Sequence, residues 1–213
     1  MPIAQDATSD AALTTSPVTG SHTCTGSDRV LFVGAKGSAG YATSATYNGS
    51  SMTRINDVQS GVGEYHLSLF YIIAPSTGSN TVSVSVASGS VGFTGSSYTG
   101  ADQSTQPDVS GTKTQSSTTS ITHSLTTATD NAWMVGYFSG SRNTLTASTG
   151  ITFVVGQSNN VGLGDSNGSI TPAGSYSMTC TMSTSGTMAA NMAGIREVQP
   201  AGGADPLFFG INF

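Results

Sequence analysis

Residues 64–86 read EYHLSLFYIIAPSTGSNTVSVSV, and this stretch decides the fold. In its first arm every second residue from Tyr65 to Ile73 is apolar, and Phe70 and Ile72 make the opposite face apolar as well. In its second arm, 81–86, three valines alternate with Ser and Thr. Alternation bounded by Pro, Gly and Asn is typical of half-buried strands joined by a hairpin loop. The stretch therefore predicts antiparallel β-structure.

The composition of the whole chain favours the same fold class. Only 8% of the 213 residues are charged, against about 25% in an average soluble domain, and Ser, Thr and Gly take their place. Residues that build long helices are too sparse to do so. A chain of this length can bury a core without a metal or a disulfide framework. We therefore predict an all-β fold whose surface consists of hydroxyl, amide and backbone groups.

Charge and hydropathy argue against two classes of partner. The net charge is −5 and the six Lys and Arg residues are spread singly, so the sequence offers no basic patch to a nucleic acid. No apolar run approaches the ~20 residues of a membrane-spanning helix.

Residues 1–6, MPIAQD, lack the basic and apolar regions of a signal peptide. Because the composition resembles that of extracellular proteins, we expect release by lysis of a host cell.

A weak internal repeat organises the strands. The segment 28–34 matches 130–136, and each copy predicts a strand that is covered on both faces. The segment 75–86 also matches 172–182. This second match makes two rows of inward residues equivalent, namely Val82, Val84 and Val86 in one copy and Met178, Cys180 and Met182 in the other.

The segment 164–168, Gly-Asp-Ser-Asn-Gly, matches the G-x-S-x-G elbow of serine hydrolases. That elbow requires a strand-to-helix turn and the chain order Ser, acid, His. Here Pro172 follows in place of a helix, and all three histidines precede Ser166. We therefore predict an ordinary turn, no catalytic residue and no enzymatic activity.

No pattern in the sequence predicts a metal or a cofactor. No two histidines have the spacing of metal ligands, and His22 and His123 occupy matching places in the repeat, which predicts a shared structural role. Asp165 and Asn167 resemble half of a calcium loop, but the remaining ligands are missing. We assign no cofactor-binding or metal-binding residue.

Cys24 and Cys180 each lie in a Thr-Cys-Thr sequence and are predicted to face the core. Buried free cysteines behave as small apolar residues. A disulfide between the two would instead suit an extracellular protein. The spacing leaves both interpretations open.

Aromatic and apolar residues give two candidate contact regions. Tyr41, Tyr47 and Tyr98 lie beside loop signals and are predicted to form a platform for a glycan, whereas Trp133 is predicted to pack in the core. Beyond the predicted domain, residues 1–198, the tail 199–213 is apolar and either packs on its own sandwich or docks as an arm on a neighbouring subunit. The residues of this assembly arm are Leu207, Phe208, Phe209, Ile211 and Phe213.

Five segments together resemble a group of phage and bacterial β-sandwich proteins. They are SHTCTGSDRVLFVG at 21–34, ATYNGSSMT at 45–53, YIIAPSTG at 71–78, SSYTGA at 96–101 and DSNGSITPAGSYSM at 165–178. Modules of this group are concanavalin-A-like or jelly-roll sandwiches and are often products of phage virion genes. The likeness brings no catalytic residues. It favours the disulfide, because the group usually has aliphatic residues where this chain has Cys24 and Cys180.

The resemblance sets the expectations for fold and function. The fold is expected to be a single antiparallel β-sandwich of two sheets, jelly-roll or concanavalin-A-like. The implied function is that of a non-enzymatic structural protein of a phage virion, as a capsid decoration or a head or tail fibre component. Its partners would be other virion proteins and copies of itself in a homo-oligomer, for example a trimer. The implied alternative is a carbohydrate-binding module or adhesin for cell-surface glycans. Either role places the protein in the virion or outside cells after host lysis.

Overall fold

The computed structural model describes residues 1–61, 65–141, 144–157 and 160–199. These residues form fifteen strands joined by turns and loops. They are β1 (Ala4–Thr15), β2 (Val18–Cys24), β3 (Val30–Gly37), β4 (Ala42–Tyr47), β5 (Ser50–Ser51), β6 (Thr53–Gln59), β7 (His66–Ile73), β8 (Gly78–Val86), β9 (Ser90–Thr99), β10 (Ser110–Thr126), β11 (Trp133–Gly140), β12 (Leu145–Ala147), β13 (Thr152–Gln157), β14 (Val161–Asp165) and β15 (Ser175–Ile195). All strand pairs are antiparallel, which confirms the predicted all-β sandwich class.

The strands form three sheets, where two were expected. The first has the order β1-β9-β3-β7-β6, and the second has the order β2-β8-β4-β5. The third has the order β10-β15-β11-β14-β13, with β12 beside β15. Both halves of the 21-residue strand β15 contribute to one hydrophobic core, Met178 from the first half and Met192 from the second. The third sheet therefore folds over itself.

Three hydrophobic cores separate four layers. The first core lies between the β2-β8-β4-β5 sheet and the β1-β9-β3-β7-β6 sheet, and it includes Val84 and Phe93. The central core joins the latter sheet to β11, β14 and β15 through residues such as Phe32 and Val135. The third core lies between β11 and the folded-over halves of β10 and β15. The two inner layers are thus covered on both faces, which explains their continuous apolar strands.

The strand order of β10–β15 repeats that of β1–β9. β10 takes the place of β1 and β2, and β15 takes the place of β8 and β9. Likewise β11, β12, β13 and β14 correspond to β3, β4, β6 and β7. The rows that begin at Val82 and at Met178 each face the core inside their own half, as the repeat predicted. The chain is therefore two related sandwiches that share the central core.

The predicted match of 28–34 with 130–136 is out of register by one residue. It paired Phe32 with Met134, but Phe32 faces the central core and Met134 faces the third core. Because side chains alternate along a strand, a shift of one residue exchanges the two faces. Val30 and Trp133, which both face the central core, are the equivalent residues.

The two histidines are also not equivalent in the repeat. His22 lies opposite Asn80 in its strand pair, whereas His123 lies opposite Met178. Since Met178 corresponds to Val82, the two histidines stand two positions apart in the repeat. The shared structural role that the sequence predicted for them is therefore not supported by the registers.

The two arms of residues 64–86 do not pair with each other, so the predicted hairpin is wrong. β7 lies between β3 and β6, and β8 lies between β2 and β4 in the neighbouring layer. Residues 74–77 cross between the layers, and Ala74 has a φ of 49°. β7 is apolar on both faces and needs cover on both, whereas β8 alternates and needs cover on one.

Gly34 on β3 lets the two halves approach closely. A Cβ at this position would lie 2.6 Å from Cγ of Tyr137, whose ring is fully buried in the central core. The ring of Tyr137 therefore lies against the backbone of β3, an approach that only glycine allows.

Candidate functional site

Ser166 lies in the loop after β14, and its hydroxyl is bound to that loop and to β11. Ser166 Oγ donates to the carbonyl of Gly168 at 2.8 Å and accepts from the N–H of Met134 at 3.2 Å. Asn167 has a φ of 48°, a conformation that Asn tolerates in turns. No helix follows this loop in the described chain, as the sequence predicted. The absence of enzymatic activity stays a prediction.

Asp165, the last residue of β14, is a buried carboxylate that links the two halves. The hydroxyl of Tyr98 donates to Asp165 Oδ2 at 2.9 Å, and the N–H of Asn167 donates to Oδ1 at 2.9 Å. Burial raises the pKa of Asp165, although both hydrogen bonds act to lower it. Asp165 therefore has a structural role here. No sequence pattern indicates this pair, because its members are 67 residues apart.

Both cysteines are free and fully buried. Cys24 belongs to the first core and Cys180 to the third, so the two inner layers lie between them. A disulfide needs Cα atoms within about 7 Å of each other, so this arrangement does not allow the pair to bond. Burial raises the pKa of both thiols, that of Cys180 to about 12. The structure therefore contains two neutral, buried thiols.

Two of the three tyrosines predicted as a glycan platform are buried. Tyr47 is 1% exposed, and its hydroxyl, a single donor, lies 3.2 Å from each of the carbonyl oxygens of His22, Ser76 and Gly78. Tyr98 is 0% exposed and is held by Asp165. Neither ring can stack on a ligand. Loop signals next to a strand end do not reveal which face of the strand a side chain occupies.

Tyr41 is 36% exposed and remains a candidate for ligand binding. It precedes β4 and lies beside β6 and β7. The ring of His66 is perpendicular to that of Tyr41, with centroids 4.8 Å apart. Arg54 and Asp57 form an ion pair at 2.9 Å, and the charge of Asp57 adds to burial in raising the pKa of Tyr41. The Tyr41 cluster consists of Tyr41, Arg54, Asp57, His66 and Ser68.

Backbone contacts of Ala42 hold the Tyr41 cluster in place. Its N–H donates to Ser68 Oγ at 3.2 Å, and its carbonyl oxygen accepts from the guanidinium of Arg54. Within the described residues, Asp57 Oδ1 and His66 Nδ1 are buried without a hydrogen-bond partner. The cluster thus combines an exposed ring with a fixed donor and acceptor pair. The sequence identified Tyr41 but not its polar neighbours, which come from other strands.

The second candidate region is the outward surface of the two outer layers. On β2, β8, β4 and β5, a row of hydroxyls crosses all four strands through Thr19, Ser83, Thr46 and Ser51. We call the outward Ser and Thr residues of these strands hydroxyl face 1. Further members are Ser21, Thr23, Ser44, Ser79, Thr81 and Ser85.

The folded-over halves of β10 and β15, together with β12, present an equivalent surface, hydroxyl face 2. Its residues are Ser120, Thr122, Ser124, Thr126, Thr146, Ser175, Ser177, Thr179 and Thr181. Two of its cross-strand pairs are hydrogen-bonded, Thr122 to Thr179 at 2.8 Å and Ser124 to Ser177 at 2.7 Å. The outward residues of both faces are uncharged. The two faces hold part of the Ser and Thr residues in which the chain is rich.

The assembly arm, Leu207, Phe208, Phe209, Ile211 and Phe213, lies outside the described residues. In the described ranges no group of three or more His, Cys, Asp or Glu residues is arranged to hold a metal ion. The described residues also contain no helix with the length and apolar character needed to cross a membrane.

Comparison of the chain with protein-family models, with curated proteins and with solved structures gives no match.

Proposed function

We propose that this protein is a non-enzymatic structural protein of a phage virion, as a capsid-surface decoration or a head or tail fibre component. The observation that carries the proposal is the pair of uncharged hydroxyl faces on opposite sides of the molecule. Such faces suit repeated contacts with copies of the same chain and with other virion proteins. The resemblance of five segments to concanavalin-A-like modules of phage virions supports the same role.

The proposal is tested on particles purified from lysed cells that produce this protein. Gold-labelled antibodies are expected to mark regular positions on the particles in electron micrographs, and the protein should sediment with them. Deleting residues 203–213 is expected to reduce assembly and particle association, because it removes the apolar arm. Unchanged assembly after the deletion would rule out a docking role for the arm, but it would not contradict the virion role. Protein that stays free in the lysate and absent from purified particles would contradict the proposed function.

We infer a second candidate function, a carbohydrate-binding module or adhesin, from the Tyr41 cluster. An exposed ring gives the apolar face of a sugar a surface to stack on. The carboxylate of Asp57 can accept from one sugar hydroxyl while the guanidinium of Arg54 donates to its neighbour. Because the two charges compensate each other, the cluster suits a neutral glycan.

Replacing Tyr41 by alanine is expected to weaken glycan binding by about tenfold or more, since the stacking surface is lost. A glycan array identifies the best neutral oligosaccharide, and calorimetric titration then compares the variants. Leu13→Ala is the matched control, because Leu13 is also 36% exposed but lies on β1, away from the cluster. Absence of millimolar binding to every glycan, or equal binding by Tyr41→Ala, would exclude this function.

A further inference from the structure

We propose that hydroxyl faces 1 and 2 dock against hydroxyl faces of neighbouring copies, so that copies of this chain stack into an open row. The inference rests on the proposed function, since it names the surfaces through which the subunits would assemble. It commits to one partner, a second copy of this chain.

The order of the layers places the two faces on opposite sides of the molecule. Face 1 points away from the first core, and face 2 points away from the third core, with the two inner layers between them. Each copy therefore offers one docking face on each side. Contacts through two opposite faces do not close into a dimer, and they extend instead into an open assembly.

The two faces have matching dimensions because the same strand geometry builds both. Neighbouring strands set rows about 4.8 Å apart, and alternate residues set hydroxyls about 6.7 Å apart along each strand. The longest row on face 1 has four hydroxyls, from Thr19 to Ser51, and the row on face 2 from Ser120 through Thr181 to Thr146 has three. Small side chains let two such sheets pack about 10 Å apart.

The chemistry of the faces allows them to satisfy each other. Each hydroxyl can donate one hydrogen bond and accept two. Any hydroxyl of one row can therefore form a hydrogen bond with any hydroxyl of a facing row. Even the bonded pair Thr122 and Thr179 uses only one of its two donors, which leaves one donor and further acceptors. The hydroxyls that lose water on docking can therefore be satisfied by hydroxyls of the next copy.

The distribution of charge also permits docking between identical chains. The net charge of −5 would oppose association if acidic groups met. None of the acidic residues in the described ranges lies on either face. One cation lies close to face 2, since Lys113 Nζ donates to the carbonyl oxygen of Thr122 at 2.6 Å. The faces can thus meet without like-charge repulsion between their outward side chains.

The size of the faces sets the strength of the contact. The strands of face 1, β2, β8, β4 and β5, have 7, 9, 6 and 2 residues. At the usual strand spacings they cover on the order of 380 Å² per partner, hence about 760 Å² per contact. Stable complexes bury about 1,200–2,000 Å². Each contact is therefore weak, and rows form where the local concentration is high, as on the surface of a particle.

Cysteine cross-linking tests the row. Thr81→Cys places a thiol on face 1 and Thr179→Cys places one on face 2, while Cys24 and Cys180 are buried and protected in the folded chain. At high protein concentration, a short bis-maleimide is expected to convert the double variant into a ladder of dimers, trimers and longer species on a denaturing gel. Each single variant carries one reactive thiol per copy and is expected to give no species longer than the dimer. A double variant that stays monomeric or stops at the dimer would overturn the proposal.

Two controls separate docking from random collision. The variant Thr8→Cys/Thr112→Cys carries two exposed thiols outside both faces and is expected to give no ladder. Adding Ser83→Lys to the Thr81→Cys/Thr179→Cys variant is expected to abolish the ladder, because a buried charge cannot be accommodated in the contact. An equal ladder in either control would overturn the proposal. A ladder without particle association defeats only the virion role, and particle association without a ladder defeats only the stacking.

Discussion

Replacing Tyr98 by phenylalanine is expected to lower the free energy of unfolding at pH 7 by about 3 kcal/mol, because the buried carboxylate of Asp165 loses its hydroxyl donor. Both residues are at most 1% exposed, so water cannot replace the lost donor without opening the central core. The loss is expected to be smaller at acid pH. Burial already raises the pKa of Asp165, and protonation in the folded state would relieve the uncompensated charge. Urea unfolding at pH 7 and pH 4.5 measures both effects.

The matched control is Tyr176→Phe. This change also removes a tyrosine hydroxyl, but the acceptor is the neutral carbonyl of Gly150 at 2.9 Å in a partly exposed position. A loss of about 1 kcal/mol is expected. Adding Asp165→Asn to Tyr98→Phe should recover stability, because the buried group is then neutral. Equal losses in Tyr98→Phe and Tyr176→Phe would show that the Asp165 carboxylate is not the cause.

Acidification is expected to remove up to about 3 kcal/mol of stability between pH 6.5 and pH 4 through His22. His22 is 1% exposed, and burial lowers its pKa to about 4, against a smaller opposite effect of the Asp6 charge. Below pH 6.5 this histidine binds a proton in the unfolded chain but stays neutral in the folded chain. Stability therefore falls as the pH falls, until the folded chain is protonated as well. Burial lowers the pKa of His123 in the same direction.

Urea unfolding of His22→Leu across this pH range checks the prediction. Leucine is a suitable replacement, because Leu125 occupies the corresponding place in the second half of the repeat. The variant is expected to lose about 3 kcal/mol less than the parent between pH 7 and pH 4. Ser9→Ala is the control, since it removes the hydroxyl 2.8 Å from His22 Nδ1 but keeps the titrating ring. An unchanged pH dependence in His22→Leu would refute the assignment.

The candidate contact surfaces were predictable from the sequence only in part. Ser and Thr at alternate positions along strands such as β8 predict outward hydroxyls, and the sequence of the single strand is enough for this prediction. That the two sets of hydroxyls lie on opposite sides of the molecule follows from the stacking of the layers. The Tyr41 cluster was visible only as Tyr41, because Arg54 and Asp57 reach it through strand pairing. Tyr47 and Tyr98 resembled Tyr41 in sequence context, and only burial separates them.

The sequence alone determined the class of the fold and the extent of burial of most strands. Period-two alternation along β8 identified an outer strand, and the two-sided apolar runs of β3, β7 and β11 identified inner ones, because side chains alternate between faces. Tertiary structure alone decided which strands pair, because the backbone hydrogen bonds between strands do not depend on the identity of the side chains. It placed β7 and β8 in different layers, separated Cys24 from Cys180, and brought Tyr98 to Asp165. Those outcomes depend on contacts between distant segments, which no local pattern records.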